Sequence, residues 1–154
     1  MKLIQGDLLQ LAEDGVFDVI IHGCNCYCIM EAGIAKGIRA RFPQAYEADC
    51  QTVKGDMGKL GTISSARILR DGRELFVVNA YIQYDFTGAD VLVDYDAVRS
   101  CMLEVKRLYS GKRIGYPKIG AGLAGGDWKK IAQIINEALY GEEHTLVEFK
   151  VAGK

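Results

Sequence analysis

Phe17-Asp18-Val19-Ile20-Ile21-His22 runs into Gly23-Cys24-Asn25, and past a glycine-bearing stretch Ile34, Ile38 and Phe42 recur at intervals of four. A β-branched apolar run reads as a buried strand. Apolar side chains four apart mark one face of a helix. The same order returns further along the chain. Arg113 to Tyr116 is a short strand, Gly120 to Gly126 a glycine loop, and Asp127 caps a helix carrying Trp128, Ile131, Ile135 and Leu139 until Gly141 stops it. Strand, glycine loop and helix in succession, twice, is the signature of an α/β domain.

The remaining elements fit that reading. Lys2-Leu3-Ile4 is a short strand ending at Gly6-Asp7, and Pro43 closes the helix of Ile34 to Phe42 or opens the next, expected to run through Tyr46 toward Lys54. Thr62 to Leu69 and Glu74 to Ala80 flank Asp71-Gly72, the preferred two-residue hairpin pair, so these strands are antiparallel neighbours. Asp94 caps a helix whose apolar face is Tyr95, Val98, Met102, Val105 and Leu108, and Thr145 to Lys150 supplies a last strand. Helices alternate with strands except at the hairpin, which implies three layers, αβα, around a mixed and mostly parallel sheet. With no repeat or linker in sight, residues 1–154 read as one domain.

Composition narrows the function classes. Nineteen basic against twenty acidic residues give a formal charge of −1, which excludes a broad phosphate-neutralising surface. No apolar run approaches the roughly 18–20 residues of a membrane span, and the N-terminus lacks a signal peptide's apolar stretch, so a cytoplasmic location is expected. Of five cysteines, three alternate in Cys24-Asn25-Cys26-Tyr27-Cys28, a spacing that suits neither a disulfide framework nor zinc ligands. Eighteen glycines in 154 residues is about 12%, against a usual ~7%, and six of them fall between Gly111 and Gly126. Glycine concentrated locally marks backbone that turns sharply or approaches a ligand.

Ligands of such sheets sit beyond the carboxyl ends of the strands. Two loops leave strands and enter helices there, His22 to Gly33 and Lys118 to Gly126. Each is expected to feed a helix N-terminus whose unpaired N–H groups attract anions, so a facing pair forms a cleft suited to a diphosphate. Gly120-Ala121-Gly122-Leu123-Ala124-Gly125 also matches the dinucleotide fingerprint, but only one strand follows it, too few for the second half of that fold.

Four segments in this order, Gly6-Asp7-Leu8, Val19 to Asn25, Ala32-Gly33-Ile34-Ala35-Lys36 and Pro117 to Leu123, resemble the macrodomain family over nearly the whole chain. The closest likeness is to the branch of ADP-ribose-1″-phosphate phosphatases and terminal ADP-ribose glycohydrolases. The resemblance implies that the chain binds ADP-ribose and hydrolyses ADP-ribose-1″-phosphate or a related 1″-linked derivative, without metal or cofactor. A non-catalytic reader, or a hydrolase acting on ADP-ribosylated protein or nucleic acid, are the alternatives. It implies that Asp7, beside Leu8, accepts from the adenine amino group, and that Asn25 holds the distal ribose. The diphosphate falls to amides of Gly33, Ile34 and Ala35, next to Glu31 and Ala32, and to those of Gly120, Ala121, Gly122, Leu123 and Ala124. His22 is the implied catalytic proton carrier with Asn25 beside it, paired with an Asp from mid-chain, Asp85 or Asp90.

The pattern departs from the family in places. The glycohydrolase branch uses a Lys on the fourth strand and an Asp in the second loop, where this chain has Asn79-Ala80-Tyr81 and Leu123-Ala124. Glu31 stands where the family has glycine, and a carboxylate ~4 Å from a phosphate repels it by about 1–4 kcal/mol.

Overall fold

A computed structural model describes residues 1–87, 91–122 and 124–150. Its sheet has six strands: β1 (Lys2–Gly6), β2 (Val19–Cys24), β3 (Ile63–Arg70), β4 (Arg73–Tyr81), β5 (Ile114–Tyr116) and β6 (His144–Phe149). They lie in the order β1-β6-β5-β2-β4-β3. All neighbours are parallel except β3 and β4. That one antiparallel pair is the expected hairpin. Asp71 and Gly72 both adopt positive φ, 51° and 74°, as a two-residue turn matched to strand twist requires.

Alternation along β2 sets the layers. Val19 and Ile21 point to one face, where α4 (Tyr95–Tyr109) and α5 (Trp128–Ala138) cover them with Val98, Met102, Val105, Ile131 and Ile135. Ile20 points to the other, beneath α1 (Leu8–Glu13), α2 (Gly33–Arg41) and α3 (Pro43–Cys50), which contribute Leu8, Leu9, Ile38, Phe42 and Ala45. The result is a three-layer αβα fold with a mixed sheet. All five thiols are free, and no helix among the described residues is long and apolar enough to cross a membrane.

Three local readings need correction. Helix α1 was not expected, because six residues are too few to show a period; Asp7 starts it, its Oδ1 accepting from the amides of Leu9 (3.0 Å) and Gln10 (3.3 Å). The helix opened by Pro43 stops at Cys50, not near Lys54. Strand β2 also runs beyond His22, pairing His22 with Asn79, Gly23 with Ala80 and Cys24 with Tyr81.

A fork-like ion pair ties together the starts of the two strands that feed the glycine loops. Arg113 donates from Nη2 to Asp18 Oδ1 (2.8 Å) and from Nε to Oδ2 (3.0 Å), and holds the Asp18 carboxyl below its ordinary range. Two planar groups meeting on two parallel bonds fix orientation as well as distance.

Candidate functional site

A cleft of about 420 Å³ opens at the carboxyl ends of β2, β4 and β5, within the ~300–1,000 Å³ of small-molecule sites. The first glycine loop forms one wall, with Asn25, Glu31, Ala32, Gly33, Ile34 and Ala35. Gly120, Gly122 and Ala124 form the facing wall, and Ile82, Gln83 and Phe86 close one end.

Helix α2 begins without a cap. Ala32 occupies the N-cap with no side-chain acceptor to offer, and among the described residues the amides of Gly33, Ile34 and Ala35 have no hydrogen-bond partner. Unpaired N–H groups at a helix start carry a partial positive charge and form an anion cradle. Gly33, at φ 56°, takes the left-handed conformation that turns the chain into the helix.

The second loop differs from expectation. Helix α5 starts four residues beyond Ala124 and is already capped, Asp127 Oδ1 accepting from the Lys129 amide (3.0 Å). This wall therefore offers loop backbone, not a bare helix end. The loop is drawn tight by Gly126 N–H donating to Gly120 O (2.7 Å), and a Cβ on Gly126 would stand 2.5 Å from that oxygen. Leu92 N–H donates to Ala124 O (2.8 Å), anchoring the loop to the segment before α4.

Asn25 lines the cleft, but its amide is largely committed to its own loop. Oδ1 accepts from Tyr27 N (2.9 Å) and Ile29 N (3.4 Å), while Nδ2 donates to Ile29 O (2.9 Å). One Nδ2 hydrogen stays free, so toward a ligand Asn25 acts as a donor.

His22 does not reach this cleft. It is 0% exposed, on the face of β2 that α3 covers, because the strand continues for two residues beyond it. Asn79 Nδ2 donates to Ala45 O and Ser64 Oγ, both at 3.0 Å, so Asn79 Oδ1 is an acceptor and His22 Nε2, 2.7 Å away, carries the proton. Burial lowers the His22 pKa to about 4, outweighing the opposing effect of the hydrogen bond to Asn79. This neutral imidazole, shut inside the protein, does not itself line the cleft. The thiol of Cys24, 3.5 Å from His22 Nε2, is pushed far above its usual range by burial and stays protonated.

Other expected residues are scattered. Leu8 opens α1 and is buried, and Asp7 caps that helix, its Oδ2 facing Arg41 Nη1 at 3.7 Å. Strand β1 lies three positions from β2, roughly 14 Å away at ~4.8 Å per strand, so Asp7 stands along the rim and not in the hollow. Asp85 Oδ1 accepts from the amides of Phe86 and Thr87, and its side chain is not part of the cleft. Asp90 and Leu123 lie outside the described residues. Ala121 is half-buried and does not line the cleft. Among the described residues, no cluster of three or more His, Cys, Asp or Glu could hold a metal ion.

Sequence reasoning missed Gln83 and Phe86, which follow β4; their signal is that β4 adjoins β2, which strand order alone reveals. It also missed Phe149, 74% exposed and paired in register with Gly6 next to Asp7. A second hollow of about 220 Å³ at the opposite end of the sheet is lined by Arg70, Arg73, Lys112 and Arg113. Its guanidiniums are already engaged, Arg73 by the carbonyls of Glu13 and Asp14, Arg70 by that of Arg41 and Arg113 by Asp18.

Comparison with known proteins agrees with this architecture. An uncharacterized 17.5 kDa protein in the tk-vs intergenic region of Enterobacteria phage T4 is 35% identical over 141 residues, covering 88% of each chain. A DNA ADP-ribosyl glycohydrolase of Mycobacterium tuberculosis is 25% identical over 131 residues, 83% of this chain but only 35% of that protein. Thermosipho africanus DarTG, solved in complex with ADP-ribose, superposes with a TM-score of 0.73 at 14% identity, covering 100% of this chain and 43% of that one. That likeness is one of fold. The family model described as Macro domain matches residues 21–135, and the chain belongs to that family.

Proposed function

We propose that the chain binds ADP-ribose along this rim and hydrolyses a derivative joined through C1″ of the distal ribose, releasing ADP-ribose. The observation that carries the reading is the uncapped start of α2. Its three unpartnered amides lie across the cleft from Gly120, Gly122 and Ala124, over a gap the size of a small ligand. A diphosphate supplies acceptors to both walls and turns the helix-end charge to use. Asn25 then donates to the distal ribose. The adenosine half extends over β5 and β6 toward Asp7, where exposed Phe149 offers a stacking face. The names of the relatives, one acting on ADP-ribosylated DNA and one holding ADP-ribose, support the same ligand.

The charge of the cleft bears on the leaving group. Glu31 puts a carboxylate in it, and the only lining cation among the described residues, Lys118, sits 3.6 Å from Glu148. A terminal phosphomonoester meets repulsion there, so ADP-ribose-1″-phosphate is a poorer fit than a 1″ link to an uncharged group of nucleic acid or protein. A non-catalytic reader is the second reading, favoured by the burial of His22 and by Asn79 in place of the branch's lysine.

Calorimetric titration with ADP-ribose, backed by thermal shift, tests the binding. At a hundredfold excess over Kd the ligand adds about 2.7 kcal/mol of stability. No heat and no shift at millimolar ligand refutes it. Release of ADP-ribose from 1″-linked probes separates hydrolase from reader.

A further inference from the structure

Resting on the hydrolytic reading above, we infer that Glu31 is the catalytic general base, the group that takes the proton from the water attacking C1″. Three titratable side chains among the described residues line the cleft: Cys24, Glu31 and Lys118. Cys24 is a buried thiol whose surroundings disfavour the thiolate, and Lys118 is paired with Glu148 on the β5 side. The nearby acids of other elements are spoken for. Asp49 is buried and accepts from Tyr81 Oη at 2.7 Å, Asp85 binds two amides of its own turn, and Asp127 caps α5. Glu31 is exposed, and it alone of these groups has no hydrogen bond and no ion pair within the described residues.

Its place in the chain suits the task. Glu31 precedes the N-cap Ala32, two residues before the first of the amides that cradle the diphosphate, and it shares the cleft with Asn25 and Phe86. A carboxylate there stands beside the distal ribose when the phosphates occupy the α2 end. It is unfavourable toward phosphate, so its presence calls for a compensating role, and proton transfer at C1″ supplies one.

The step balances without cofactor or redox partner. Water donates a proton to the Glu31 carboxylate as its oxygen bonds to C1″. The bond from C1″ to the oxygen or nitrogen of the leaving group breaks, and the electron pair departs with that group, which takes the proton back from the Glu31 carboxylic acid. The products are ADP-ribose and the free hydroxyl, amide or base.

The test compares wild type, Glu31→Gln and Glu31→Asp on two probes: a single-stranded DNA oligonucleotide carrying one ADP-ribose, and ADP-ribose-1″-phosphate. Positioned acid–base groups contribute roughly 10²–10⁴ in rate, so Glu31→Gln is expected to lose at least a hundredfold in kcat on a probe that wild type cleaves. Its ADP-ribose Kd should be no weaker than wild type, since the variant removes a carboxylate that repels phosphate, and its melting temperature should stay near wild type because Glu31 is exposed and unbonded. The limb of the pH–rate profile in which wild-type turnover rises with pH disappears in Glu31→Gln, and Glu31→Asp keeps part of the rate. Turnover by Glu31→Gln within threefold of wild type overturns the inference alone. So does a large loss of affinity with kcat retained. If wild type binds ADP-ribose yet releases nothing from either probe, the base has no reaction to serve and the reader is left. Failure of wild type to bind ADP-ribose sinks the functional reading itself.

Discussion

Acidification should loosen this fold through its buried histidines, and His22 carries a share that can be isolated. Burial lowers its pKa from 6.5 to about 4. The Nε2 hydrogen is fixed on Asn79, so a second proton must enter at Nδ1, whose one hydrogen-bond partner among the described residues is the Cys24 sulfur, 3.7 Å away. Between pH 4 and 6.5 the unfolded chain binds a proton that the folded chain refuses, so stability rises with pH across this window and is complete above it. Taking about 6.5 for the unfolded state, moving from pH 7 to pH 5 costs about 2 kcal/mol for this one group. His144 is also lowered to about 4, chiefly by burial, and acts in the same direction. Against the ~5–15 kcal/mol of a typical domain, that loss is large. Urea unfolding at both pH values measures it. His22→Gln keeps a donor for Asn79 and deletes the titration, so its loss between pH 7 and pH 5 should be about 2 kcal/mol smaller than that of wild type. Because the side chain does not touch the cleft, the same variant should keep ADP-ribose affinity within about twofold. An unchanged pH dependence in His22→Gln, or a loss of turnover above tenfold with the fold intact, would refute the assignment of His22 as an interior neutral imidazole.

Gly126→Ala drives a methyl to within 2.5 Å of the Gly120 carbonyl and 2.7 Å of Val93 Cγ1. Overpacking of this kind costs about 1–3 kcal/mol, and with the loop opened ADP-ribose affinity should fall at least tenfold by calorimetry; wild-type affinity would show that the second loop does not contact the ligand. Phe149→Ala removes an exposed ring, so melting is expected to stay unchanged. Loss of base stacking, worth about 1–3 kcal/mol, should weaken ADP-ribose at least fivefold while leaving ribose-5-phosphate unaffected, and equal weakening of both would argue against an adenine contact.

Much of the architecture was legible because periodicity reports burial directly. The β-branched run at Val19 to Ile21, the four-residue spacing of Ile34, Ile38 and Phe42, and Asp71-Gly72 each specify one local conformation almost without reference to the rest of the chain. The two glycine loops were found for the same reason, since a turn into a helix at φ 56° at Gly33 is a backbone demand that the residue type announces. Helix α1 escaped because one cap and six residues leave no period to read.

Which side chains share a space is another matter. Local pattern told that His22 ends an apolar run; only the pairing of β2 with β4, which carries the strand two residues further, decided that its ring faces Asn79 inside and not the rim. The order β1-β6-β5-β2-β4-β3 brought Gln83 and Phe86 to the cleft and set Asp7 three strands away from it. It also left Glu31 as a free carboxylate there among the described residues. The sequence by itself determined the strands, the helices longer than α1 and the two glycine loops, because those follow from short-range backbone preference. The tertiary structure decided which ionisable groups meet water and which are sealed, because desolvation depends on what is packed above a residue, and nothing in its immediate neighbours along the chain states that.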